Sequence, residues 1–149
     1  MLISAARSWL FNRVLAERVR RGDWNRLLPG EVALLAGEGR PLPVRRPETL
    51  EARLAAGELH PSGPLPGRPG HCLAPDGEAA ALERTVLQRP PLDAWVAELT
   101  RRGADAARRP LRAIPRELDW EWGEGELLLR FELPAGSYAT CLVRELLGG

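Results

Sequence analysis

Apolar residues recur at three- and four-residue steps from Ile3 through Ala6, Leu10 and Val14, joined by Phe11, Leu15 and Val19. That period predicts one amphipathic helix over residues 3–21, with Gly22 as its stop. Pro29-Gly30 then precedes a short predicted strand at Val32–Ala36 and a turn at Gly37-Glu38-Gly39. A second helix fits Pro47–Ala56, with proline in its first turn, Leu50 and Leu54 one turn apart and Gly57 beyond. From His60 to Gly77, nine of 18 residues are Pro or Gly, which predicts a turn-rich loop or a mobile linker. Leu82, Val86 and Leu87 place a helix at about 78–88, and Leu92, Trp95, Val96 and Leu99 place another before Gly103.

After residue 110 the period changes from helical to two. Leu118, Trp120 and Trp122 alternate with charged residues, as do Leu127, Leu129, Phe131 and Leu133. This predicts two half-buried strands joined by a hairpin at Gly123-Glu124-Gly125. Ser137 is placed to cap a closing helix from Tyr138 to Leu147. The expected class is α+β, a helical front followed by a strand–strand–helix back, with the boundary near residue 112. Trp9 and Trp95 lie on helical stripes and Trp120 and Trp122 on a strand stripe, so the pattern assigns them to core packing ahead of base stacking.

With 149 residues, 44% of them hydrophobic and 28% charged, the chain has the composition of a globular protein. Its longest apolar run, Val32-Ala33-Leu34-Leu35-Ala36, is far below the roughly 20 residues that span a bilayer. Met1 to Phe11 lacks the basic head of a secretory signal, so the expectation is a cytoplasmic protein without membrane contact. Two cysteines, Cys72 and Cys141, have no CxxC or His/Cys spacing, and His60, His71 and Cys72 make a poor metal set. All 21 basic residues are arginine, balanced by 20 acids. The first 26 residues carry six arginines against Glu17 and Asp23, a net +4; Glu117 to Glu132 carries six acids against Arg130, a net −5. The arginines before residue 26 fall mostly off the apolar stripe, on a face that is either merely solvated or RNA-facing. The alternating carboxylates from Glu117 to Glu126 fit a solvated strand face better than an acid/base pair.

Three segments carry a resemblance. Ser4-Ala5-Ala6-Arg7-Ser8-Trp9-Leu10-Phe11-Asn12 resembles the Ser-x-x-Arg-Ser-x-Leu-Phe-Asn helix of the TruD family of tRNA pseudouridine synthases. Gly57-Glu58-Leu59-His60-Pro61-Ser62-Gly63-Pro64-Leu65-Pro66-Gly67 is similar to that family's Pro-(Thr/Ser)-Gly-Pro-Leu-x-Gly segment. Arg130-Phe131-Glu132-Leu133-Pro134-Ala135-Gly136-Ser137-Tyr138-Ala139-Thr140, followed by Val143-Arg144-Glu145-Leu146, resembles its C-terminal signature. Order and spacing fit for all three, and together they cover nearly the whole chain.

The resemblance implies a cofactor-independent, monomeric isomerase that converts uridine, typically at position 13, to pseudouridine in tRNA. It implies that residues 1–112 are most of the domain inserted into the family's catalytic domain, and 113–149 the last strands and helix of that catalytic domain. The target base is flipped from its stack and an aspartate attacks. Tyr138 falls where the family places an aromatic against the target base, and Arg144 resembles the basic residue set beside the nucleophile. Arg7, Arg13, Arg20 and Arg21 are the candidate RNA contacts.

The sequence departs from the family at one decisive place. The nucleophile belongs to a Gly-x-Lys-Asp motif, and this sequence contains no lysine. The family's Asn-Tyr-Phe-Gly-x-Gln-Arg-Phe-Gly segment is missing too. Both belong upstream of the first helix, so the expectation is the C-terminal portion of a longer enzyme, with Met1 an internal methionine and no catalysis without the N-terminal segment. The rival expectations are a stand-alone RNA-binding module gripping phosphates through the Arg7–Arg26 face, and a truncation with no role, whose strands near Leu118–Leu133 expose an unpaired edge.

Overall fold

Helix α1, Ile3–Arg21, forms as its period requires. Ala6, Leu10, Phe11 and Val14 are buried along one stripe. It ends in a paired stop: the Gly22 N–H donates to the Val19 carbonyl and the Asp23 N–H to that of Arg18. Gly22 adopts a φ of 73°, the left-handed conformation this closure needs. The structure, a computed structural model, describes residues 3–134, 137 and 139–148. It divides into two compact units, Met1–Arg112 and Ala113–Gly149.

In the first unit α1 packs beside α3 (Gly77–Leu87) and α4 (Leu92–Arg101). Ala6, Leu10, Val14, Leu28, Ala79, Leu82, Val86, Leu92 and Leu99 make their shared core. A second core of Leu27, Ala33, Val44 and Leu59 lies under a three-stranded antiparallel sheet. Its order is β2 (Pro41–Pro43), β1 (Val32–Leu35), β3 (Leu59–His60). The Pro47–Ala56 helix is observed as a 3-10 turn, Pro47–Leu50, running into the short α2, Glu51–Ala55.

The Pro/Gly-rich stretch is neither a loop throughout nor a linker. It contributes β3 and then β4, Ser62–Leu65, which pairs antiparallel with β5, Ala107–Pro110; Gly63 faces Arg109 and Pro64 faces Arg108. Proline lacks a donor, and here a β5 side chain adds bonds to β4 at the buried Ser62. Arg108 donates from Nε to the Ser62 hydroxyl at 2.7 Å and from Nη2 to its carbonyl at 2.9 Å.

The second unit holds the hairpin β6 (Arg116–Trp122) and β7 (Leu127–Glu132), followed by α5 (Ala139–Leu146). Trp120 faces Leu129 and Trp122 faces Leu127 across the pair, so the alternation did specify one apolar face. Its burial is not observed: Trp120 is 62% and Trp122 69% exposed. Trp9, at 38% exposed, also lies outside the core. Period two reports which residues share a face; it carries no information on what covers that face.

Candidate RNA interface

The arginines of α1 divide by their positions around the helix. Arg18 continues the buried stripe, four residues after Val14 and eight after Leu10, and is itself buried. Its Nε lies 2.7 Å from Asp23 Oδ1 and its Nη1 3.3 Å from Glu31 Oε1. Its Nη2 also donates to the carbonyls of Asp23 and Arg26 at 2.8 and 2.7 Å. Glu31 accepts from the backbone N–H of Leu28 at 2.7 Å and of Ser62 at 3.1 Å. Arg18 is thus an internal brace and no part of a basic surface.

Arg7 is also turned inward in part. Its Nη2 donates to the carbonyls of Leu65 and Asp105, at 3.3 and 2.7 Å. Arg20 forms a two-pronged pair with Glu17, at 3.1 and 2.5 Å. Arg21 bridges Asp23 and Glu78, each at 2.8 Å. Hydrogen bonding from Arg20 outweighs the other influences on Glu17 and holds its carboxyl below the usual range. Arg13 differs from the rest: its guanidinium lies 5.6 Å from the Trp9 ring centre, and among the described residues it has no carboxylate partner.

The two N-terminal signature segments meet in space. Gly63 sits where a Cβ would come within 2.9 Å of Phe11 and of Leu111, while Arg7 donates to the Leu65 carbonyl. Arg109 stacks over the Phe11 ring at 4.0 Å and donates to Ser8 Oγ at 3.3 Å. What these segments encode in this chain is therefore a packed joint between α1 and the β4–β5 pair.

Desolvation pushes the Glu31 carboxyl above the ordinary 4.5, against the opposing pull of Arg18 and the two backbone donors. A carboxyl raised in the folded state binds more protons there than in the unfolded chain, so its contribution to stability falls as pH rises above about 4.5. Glu31→Gln is expected to remove that falling limb from a stability-versus-pH curve measured by urea titration. An unchanged curve would contradict this assignment.

Four of the five aspartates use their carboxylates locally. Asp23 pairs with Arg18 and Arg21, Asp105 with Arg68, and Asp93 accepts from the Ala94 N–H. Asp119 accepts from the Trp120 N–H and faces Arg130; Asp76 takes part through its backbone, its N–H donating to the Gly30 carbonyl. Among the described residues no three His, Cys, Asp or Glu side chains are grouped to hold a metal, and no helix is long and apolar enough to cross a membrane.

Comparison with known proteins decides the family. The model for tRNA pseudouridine synthase D (TruD) matches residues 1–146. The chain belongs to the TruD family. It is 42% identical over 147 residues to a tRNA pseudouridine synthase D of Hydrogenovibrio crunogenus, covering 98% of this chain and 41% of that protein. To the Xanthomonas euvesicatoria protein of the same name it is 45% identical over 148 residues, covering 98% of this chain and 40% of that one. The crystal structure of a putative TruD from Methanosarcina mazei shares its fold, with a TM-score of 0.67 at 24% identity over 96% of this chain and 36% of that one. The chain spans about two fifths of the length of the curated relatives it matches.

In this TruD-family chain the C-terminal signature falls on β7, α5 and the residues between them in sequence. Arg130 pairs at 3.8 and 3.7 Å with Asp119 and Glu121. Arg144 is exposed on α5 with no acid partner among the described residues, and Tyr138 lies outside the described residues. Sequence reasoning missed Arg108 and Arg112. The latter ties α2 and β3 together by donating to the carbonyls of Leu54 and Leu59 and to Asn25 Oδ1. No hydrophobic period marks such residues; only a chain without lysine hints that some arginines are structural.

Proposed function

We propose that these residues serve tRNA pseudouridine formation, with 1–112 acting as most of the inserted domain and 113–149 as the closing strands and helix of the catalytic domain. The observation that carries this reading is a family match running unbroken through both units. The full-length reaction is an isomerisation of uridine in tRNA, typically at position 13, in the cytoplasm, by a monomer and without a cofactor. Tyr138 contacts the target base and Arg144 supports the aspartate nucleophile. That nucleophile is not among these residues: the sequence has no lysine for a Gly-x-Lys-Asp motif, and its five aspartates all lie outside that context. These 149 residues therefore bind tRNA and do not turn it over.

Of the four arginines proposed to contact RNA, Arg13 offers the most. Arg20 and Arg21 contribute charge already shared with Glu17, Asp23 and Glu78, and Arg7 spends donors on backbone carbonyls. A second reading, a stand-alone RNA-binding module, draws on the same Arg13 face. Binding of an unmodified tRNA transcript is expected to weaken linearly in log salt, by a slope of about 0.7–0.9 per phosphate contacted, with no pseudouridine formed. Salt-independent or absent binding would defeat both readings, and pseudouridine formed by these residues alone would defeat the first.

A further inference from the structure

We propose that Trp9, braced by Trp95 and flanked by Arg13, is a stacking platform for an unpaired base of the bound RNA; the inference rests on the tRNA reading above. Trp9, Arg13, Ala16 and Arg20 follow one another at four-, three- and four-residue steps, so they share one side of α1. That side is rotated away from the Ala6–Leu10–Val14 stripe and faces solvent. Trp9 there is 38% exposed, and its ring is in contact with Trp95. Trp95 packs against the α1–α3–α4 core and meets the Trp9 ring edge-on, centroids 6.4 Å apart and planes at 76°. In such a T-shaped pair one ring presents its edge to the face of the other, and the Arg13 guanidinium lies over the Trp9 ring, 5.6 Å from its centre.

A tryptophan more than a third exposed, with a cation over its ring that has no carboxylate partner among the described residues, fits unpaired RNA. Stacking takes any base, and the guanidinium supplies either a second planar surface or a phosphate contact. Charge favours a polyanion near the C-terminal end of α1: Arg20 and Arg21 there, together with Arg89, all lower the Glu17 carboxyl pKa. A protein partner is the competing occupant, and the same variants separate the two.

The test is tRNA binding by the full chain over a salt series, with Trp9→Ala, Trp9→Phe and Arg13→Ala, and Trp122→Ala as the exposed-tryptophan control. Trp9→Ala is expected to weaken binding roughly 5- to 100-fold with the salt slope unchanged, as loss of one stacked base requires. Trp9→Phe should recover most of that loss, and Arg13→Ala should reduce the slope by about 1. Trp9→Phe and Arg13→Ala keep the test decisive if Trp9→Ala folds poorly. Wild-type binding by all three variants would overturn the platform while leaving the tRNA reading standing, and is also what a protein-docking face predicts. A wild-type chain that fails to bind tRNA would overturn both.

Discussion

Arg18→Ala is expected to lower the stability of the first unit by about 3–5 kcal/mol, the cost of leaving a buried charge without its partner. The arginine side chain is 3% exposed and that of Glu31 1%. Truncation strands Glu31 among α1, the 28–31 turn and Ser62, and it also removes the donors that hold the carbonyls of Asp23 and Arg26 just beyond the end of α1. Urea unfolding followed by tryptophan fluorescence reads the loss. The same substitution in a Glu31→Gln background should cost less, because the stranded charge is gone. A single-mutant loss below about 1 kcal/mol would mean that the pair is not the brace described here.

The second large effect belongs to Gly30. Its φ is 77°, and a Cβ there would lie 2.3 Å from the Asp76 carbonyl oxygen and 2.6 Å from the Asp76 carbonyl carbon, both backbone atoms. The close approach is what allows the Gly30 carbonyl to accept from the Asp76 N–H at 2.8 Å, seating the turn before β1 against the start of α3. Gly30→Ala adds a left-handed penalty of about 1–2 kcal/mol to an overpacking cost of about 1–3 kcal/mol. Gly37→Ala and Gly39→Ala carry similar φ values, 78° and 65°, with nothing within 4 Å of the added carbon. They should show the first cost alone. Equal losses at all three positions in urea titrations would rule out the steric part.

The contrast between what the sequence made legible and what it hid follows from physics. Helices α1, α3 and α4 were readable because each buries one stripe, and a stripe leaves a period of 3.6. The β6–β7 hairpin was readable as a pairing, from its alternation and its glycine turn, but the exposure of Trp120 and Trp122 was not. Strands β2, β4 and β5 left no period because they are three or four residues long and contain proline or arginine where a strand usually alternates. Ser62, hidden in a segment half Pro and Gly, is held by Arg108 and by Glu31, partners 46 and 31 residues away. Arg18 could have been found, since it stands on the apolar stripe one turn after Val14. The arginines off the apolar stripe were legible as a basic face; which of them are paired with acids was not. Trp9 sits one residue from Leu10, and its contacts with Trp95 and Arg13 appear only in the fold.

The central claim is that these residues are a working portion of a TruD-type synthase that lacks the nucleophile. The most direct measurement grafts them in place of the matching two fifths of the Hydrogenovibrio crunogenus relative and assays pseudouridine in an unmodified tRNA transcript, beside the 149-residue chain alone. The expected result is pseudouridine from the chimera and none from the chain. Turnover by the chain alone, or a folded chimera that binds tRNA and forms no pseudouridine, would contradict the account.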